Sequence, residues 1–153
     1  MKKLTLLLSA AFWTFLGFAL TAGRAAADTP GQHPYYLHAL SDLRDARAHL
    51  DKLTPSEVVD EKEVHAIAEV DKAIGEIKKA SIDDGKDLSD HPPVDAKLDK
   101  KGRLHHAVEL LEKAKQDVDH EEDNKFAKGL RGRANDHIKK AIKIVKDHLL
   151  HWR

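Results

Sequence analysis

The chain has 153 residues, 34% of them charged, with 26 basic side chains balanced by 26 acidic ones and no Cys. That balance excludes a general nucleic-acid binder, which needs a net basic face. The missing Cys excludes disulfides, c-type haem attachment and thiolate metal sites, and with only 5% aromatic residues the core must come from Leu, Ile, Val and Ala.

Residues 1–27 read as a cleaved secretory signal peptide. Lys2 and Lys3 precede an apolar run over residues 4–20, and small residues lead to Ala25-Ala26-Ala27, an A-x-A junction. An uncleaved anchor is the competing reading, because the apolar run approaches bilayer length. A lipid-anchored form is excluded, because no Cys follows. The two-lysine start looks bacterial and places the mature chain, residues 28–153, in the periplasm or outside the cell, with no stable membrane span. Cleavage removes Lys2, Lys3 and Arg24 from the 26 basic residues, together with the only Met, and leaves 23 basic against 26 acidic groups, a net of −3 with His neutral. All 11 His residues stay.

One helical pattern recurs four times without a gap. His38-Ala39 with Leu43, Ala46 and Leu50 returns 27 residues later as His65-Ala66 with Val70, Ala73 and Ile77. It returns again as His106-Ala107 with Leu111, Ala114 and Val118, and, 27 residues on, as Arg133-Ala134 with Ile138, Ala141 and Val145. The spacing of 4, 3 and 4 draws one stripe along an α-helix. Written as heptads, all eight d positions are Ala and all eight a positions are branched aliphatics. The expected fold is therefore all-α: an antiparallel four-helix bundle built from two duplicated αα-hairpins with an alanine-rich seam. The hairpins, residues 34–82 and 94–152, are related by an offset of 68 residues.

Boundary signals divide this single domain, residues 28–153. Pro34 suits the first turn of helix 1, expected to reach about residue 53. Thr54-Pro55-Ser56-Glu57 is a capping-box pattern that predicts an immediate start of helix 2, running to about residue 82. Gly85, Ser89 and Pro92-Pro93 mark a connection over residues 83–93. Helix 3 is expected from Val94 to Asp119, weakened at Gly102, and an acidic turn over residues 120–124 leads into helix 4.

Histidine is the enriched reactive type. His38 with Asp42, His65 with Glu69, and His105 with Glu109 each place an imidazole one turn before a carboxylate, a spacing that either supports the helix or shares a metal. With hairpin turns near Thr54 and Glu122, the residues His38, Glu69, His106 and His137 fall at one height. Three imidazoles and a carboxylate suit Zn or Cu(II). An up-down bundle, however, sets His38 and His106 on diagonal helices. His148 and His151, three residues apart, form a weaker chelating pair. No Glu-x-x-His pair, phosphate loop or nucleophile elbow is present, so no enzyme activity and no resident cofactor are expected.

The segment His33-Pro34-Tyr35-Tyr36-Leu37-His38-Ala39-Leu40-Ser41-Asp42-Leu43-Arg44 resembles the opening of small exported bacterial helical-bundle proteins of no assigned activity. The resemblance implies a four-helix bundle and brings no site residues. Tyr35 and Tyr36 either cap the open end of the core or form a recognition patch. The functional expectation is a non-enzymatic periplasmic or secreted protein acting through contacts with an unidentified protein partner, through self-association, or as an envelope accessory. The alternative is a histidine-based Zn or Cu(II) binding or buffering protein.

Overall fold

The computed structural model describes residues 34–51, 54–80, 85–120 and 125–152, so the expected signal peptide lies outside the described residues. Pro34 opens α1 (Pro34–Leu50), where its fixed φ suits a first helical position. α2 (Glu61–Ala80), α3 (Lys100–Val118) and α4 (Lys125–Leu150) follow, with no strand among the described residues. None of these helices is long and apolar enough to cross a membrane.

The recurring stripe is the core. All eight seam alanines are 0% exposed, and the eight aliphatics between them are exposed by 2% or less. Each buried Leu, Ile or Val side chain contributes about 1.5–3 kcal/mol relative to an exposed one. The alanines let helix backbones approach closely between them. Tyr36, Leu40, Ile74, Leu110 and Leu130 widen the stripe into a continuous cluster. Tyr36 closes one end of it, while Tyr35 stays partly exposed and stacks on His120 with 3.6 Å between ring centres.

Cross-links fix which helices are neighbours. Tyr35 and His120 set the start of α1 beside the end of α3, and the rings of His49 and His106 set the end of α1 beside the start of α3. Between α2 and α4, Arg133 Nε donates to Glu76 Oε2 at 2.7 Å and His137 Nδ1 lies 2.6 Å from Glu69 Oε2. Arg47 of α1 donates to Asp71 of α2 at 2.7 Å, and Lys146 of α4 donates to Glu112 of α3 at 2.6 Å. Each helix thus has two flanking neighbours, and the pairs α1/α4 and α2/α3 face one another across the core. The up-down order expected from sequence, with α1 and α3 diagonal, is therefore corrected: these two pack directly on each other. The cause is the segment before α3, which runs back along α1 and delivers the start of α3 to the end of α1. Along this path Lys78 donates to the Lys86 carbonyl at 2.7 Å, and Leu88, His91 and Val94 line a cleft with Arg47, Ala48 and Asp51.

Two helix starts also differ from expectation. Residues 54–57 form a turn closed by Glu57 N–H to Thr54 C=O at 3.1 Å, and α2 begins only at Glu61. Its cap is a second box six residues further on. Asp60 Oδ1 accepts from the Lys62 and Glu63 amides at 2.9 and 3.0 Å, and Glu63 Oε2 accepts from the Asp60 amide at 2.9 Å. Glu57 cannot complete the earlier box because its carboxylate pairs with Arg103, a buried residue that also donates to the Asp51 carbonyl at 2.8 Å. α3 likewise starts at Lys100 rather than Val94, because Asp99 Oδ1 caps it through the Gly102 amide at 2.7 Å. Gly102 is thus a first-turn residue beneath the cap and not a weak point inside the helix.

Candidate metal centre

Four charged or ionisable side chains are buried among the described residues: Arg44, His49, Glu63 and Arg103. Burying such groups is costly unless each is paired or ligated, so their surroundings are where function is sought.

His49 lies one turn after Asp45 on the face of α1 that meets α3. From α3, His106 approaches edge-on, with 4.6 Å between ring centres and 71° between planes. One ligand atom from each of Asp45, His49 and His106 falls within 4.8 Å of the other two. Asp45 Oδ1 and His49 Nδ1 are buried without a hydrogen-bond partner. Asp45 Oδ1 and His49 Nε2 are 3.6 Å apart, too far for a hydrogen bond. The separation is close to the ~3.3 Å edge of a tetrahedron with metal–nitrogen bonds of about 2.0–2.1 Å.

The protonation states suit ligation. Burial pushes the His49 imidazole below its ordinary value; Asp45 pulls it up, and the charges of His106, Arg103 and His91 act in the same direction as burial. A neutral imidazole is the form that binds a metal. His106 Nδ1 lies 3.2 Å from Glu109 Oε2, which can only accept, so in the neutral ring Nδ1 donates and Nε2 is the nitrogen left for a ligand. Imidazoles oriented by a carboxylate in this way are the usual support of a metal-bound histidine. The nearby charge of Arg103 is balanced by Glu57.

A second cluster, Asp60, Glu63 and His148, also brings three ligand atoms within 4.8 Å. His148 Nε2 lies 2.8 Å from Asp60 Oδ2 and 3.9 Å from Glu63 Oε1. Here too two atoms, Glu63 Oε1 and His148 Nε2, are buried without a hydrogen-bond partner, but the carboxylates have other tasks within the protein. Lys100 Nζ sits 2.8 Å from Glu63 Oε2, and Asp60 uses its other oxygen to cap α2. Trp152 covers His148 edge-on at 5.0 Å between ring centres. This cluster is an ion-pair network that ties the start of α2 to the end of α4.

Of the four ligands expected from sequence, the structure brings together only Glu69 and His137, and Lys72 shares the Glu69 carboxylate at 2.7 Å. His106 stands instead beside His49 and Glu109. His38 is exposed and precedes Asp42, whose carboxyl faces Asp117 near the end of α3. It therefore lies toward the opposite end of the molecule from His106, and the four do not form one ligand set. His148 and His151 have separate partners, since His151 Nδ1 bonds the Asp147 carbonyl at 2.7 Å. His65 and His105 are exposed.

No family model, curated protein or solved structure matches the chain.

Sequence reasoning followed imidazoles that precede a carboxylate by four residues and passed over Asp45-x-x-x-His49, the same spacing in reverse order. That pair, together with the His105-His106 doublet, was the signal available. Its significance depends on α1 and α3 being neighbours, which the helical pattern alone does not state.

Proposed function

We propose that this chain is a non-enzymatic exported helical protein that holds one divalent transition metal, Zn or Cu(II), between α1 and α3. Asp45, His49 and His106 are its ligands. The observation that carries the reading is the convergence of three ligand atoms within 4.8 Å, two of the residues having buried polar atoms that lack any hydrogen bond. Two imidazoles and a carboxylate are a borderline donor set suited to these ions, and three protein ligands leave one position open. The test is titration of the full chain, purified without a histidine tag, with Zn(II) and with Cu(II), read by native mass spectrometry and chelator competition. One ion per chain with sub-micromolar affinity, lost in His49→Ala and His106→Ala, is expected. No bound ion, or binding unchanged in both variants, overturns the reading. The same spectra report whether the chain begins at Asp28, as cleavage of the expected signal peptide requires.

The architecture proposed with it is an antiparallel bundle of two duplicated hairpins. Glu69 and His137 are separated by 68 residues, the offset between the two hairpins, and they touch. Contact between equivalent positions is the property of a two-fold, isologous packing.

A second reading, contact with a protein partner or self-association, is favoured by an apolar groove where Val108 of α3 meets Leu149 and Leu150 of α4, Leu150 being 80% exposed. Sedimentation of the full chain and of Leu150→Glu tests self-association there.

A further inference from the structure

The tasks that Asp60 and Glu63 perform within the fold use one oxygen of each carboxylate, and the other oxygen of each faces His148. We infer that Asp60 Oδ2, Glu63 Oε1 and His148 Nε2 form a second Zn(II) site, which clamps the start of α2 to the end of α4. It shares no ligand with the Asp45/His49/His106 centre and stands or falls independently of it.

The division of oxygens is complete. Asp60 Oδ1 caps α2 through the Lys62 and Glu63 amides, while Oδ2 lies 2.8 Å from His148 Nε2. Glu63 Oε2 closes the capping box on the Asp60 amide and pairs with Lys100 at 2.8 Å, while Oε1 lies 3.9 Å from His148 Nε2. An ion taken by Oδ2 and Oε1 therefore leaves the cap intact. The cap bonds also hold both carboxylates in place, as the outer partners of metal ligands do. This is not a scatter of surface acids, because Glu63 is only 2% exposed. Its Oε1 and the His148 Nε2 are buried with no hydrogen bond, a cost that a shared cation removes.

The distances fit an ion between the three atoms, which all lie within 4.8 Å of one another. The separations of 2.8 and 3.9 Å bracket the ~3.3–3.6 Å edge of a tetrahedron built on Zn–N and Zn–O bonds of about 2.0–2.2 Å. The shorter one has the length of a hydrogen bond but not its alignment, since Nε2 has no hydrogen-bond partner there. One imidazole and two carboxylates suit Zn(II) and leave a position for water. With the imidazole neutral, the form that binds a metal, the two carboxylates outweigh Lys100 by one charge. Lys100 and the positive end of α2 nevertheless oppose a cation. The site is therefore the weaker of the two and fills second.

Trp152 supplies a local reporter, packed edge-on against His148 at 5.0 Å between ring centres. The experiment compares wild type, His106→Ala, His148→Ala and Asp60→Asn as full chains without a histidine tag, with Zn(II) and Cu(II) as probes. Native mass spectrometry with a weak competing chelator counts Zn(II) ions and reads their affinities. Cu(II) quenching of Trp152, the only Trp outside the expected signal peptide, locates the ion. Wild type is expected to take a second Zn(II) in the micromolar range. His106→Ala should lose the tight ion and keep both the micromolar ion and the quenching. His148→Ala should keep the tight ion, bind the other at least ~10- to 100-fold more weakly, and lose the quenching. Asp60→Asn keeps the capping oxygen but removes a ligand charge, so its weaker binding decides the matter if His148→Ala fails to fold. No ion in wild type beyond the one lost in His106→Ala overturns the proposal. So does a micromolar ion whose affinity and quenching are unchanged in the folded His148 and Asp60 variants. A micromolar ion lost in His148→Ala, from a chain that binds nothing tightly, supports this site and overturns only the Asp45/His49/His106 centre.

Discussion

The imidazoles of His49 and His106 meet edge to face across the α1–α3 contact, 4.6 Å between ring centres, with His49 4% exposed and His106 near the surface. A proton on His49 is therefore a charge held out of solvent beside another imidazole. Because burial holds its folded pKa below the unfolded value of 6.5, the unfolded chain binds more protons in that range. The stability contributed by neutral His49 is complete above about pH 6.5 and is lost as pH falls through that value towards the folded pKa. Urea midpoints of the metal-free protein measured from about pH 8 down to about pH 5 should fall for wild type and fall less for His49→Gln. A second decline belongs to Glu69 and Glu76. Burial pushes both up, but hydrogen bonds from Lys72 and His137, and from Arg133 and Lys79, outweigh it and hold them below 4.5. Their contribution is present above about pH 4.5 and is lost below it. Asp42 acts with the opposite sign, since burial raises its pKa and protonation relieves it.

Asp60 has two tasks with separable consequences. It caps α2 with one oxygen and faces His148 with the other. Asp60→Ala should cost about 0.5–2 kcal/mol in a denaturant titration, the usual value of a lost N-cap. Asp60→Asn keeps the capping oxygen and should recover most of that loss. Thr54→Ala, at the box that the structure does not use, should stay within about 0.5 kcal/mol of wild type, because Thr54 is exposed, its hydroxyl meets the Ser56 hydroxyl, and its backbone turn bond to Glu57 is kept.

These two boxes show where the sequence was legible and where it was not. The stripe from Ala39 to Val145 could be read directly, because helix periodicity and burial are the same fact stated twice. The start of α2 was not legible. Thr54-x-x-Glu57 and Asp60-x-x-Glu63 have equal local claims, and the choice falls to Arg103, far away in sequence, which takes Glu57. The expected ligand set failed for a related reason. His38 and His106 share a repeat position, but which helices adjoin is decided by the path of residues 85–99, and no periodicity encodes that path.

Enlarging the seam should destabilise, whereas filling an open helix surface should not. Ala73→Leu and Ala141→Leu each insert atoms where exposure is 0%, and each should cost about 1–3 kcal/mol by overpacking. Gly132 in α4 has nothing within 4 Å of where a Cβ would stand. Gly132→Ala should therefore gain about 0.5–1 kcal/mol from helix propensity. Chemical denaturation of the three variants side by side checks both signs.

The two-hairpin architecture proposed above predicts a particular pattern at Glu69 and His137. His137→Glu sets two carboxylates against each other and should cost about 1 kcal/mol, in the range of exposed to half-buried charge pairs. Exchanging both residues, Glu69→His with His137→Glu, should return most of that loss, because equivalent positions of a two-fold contact have interchangeable surroundings. An exchange variant no more stable than His137→Glu would count against equivalence of the two hairpins.

Under the proposed duplication, the contact between Glu69 and His137 also has a genetic meaning. In an assembly of two separate, identical hairpins, whatever residue occupies the dyad must face its own copy, so a carboxylate there meets a carboxylate and an imidazole meets an imidazole. No single substitution escapes that constraint, because it changes both sides at once. Joining the hairpins in one reading frame gives each side its own codon. Opposite partners can then settle at a place where symmetry had allowed only like against like.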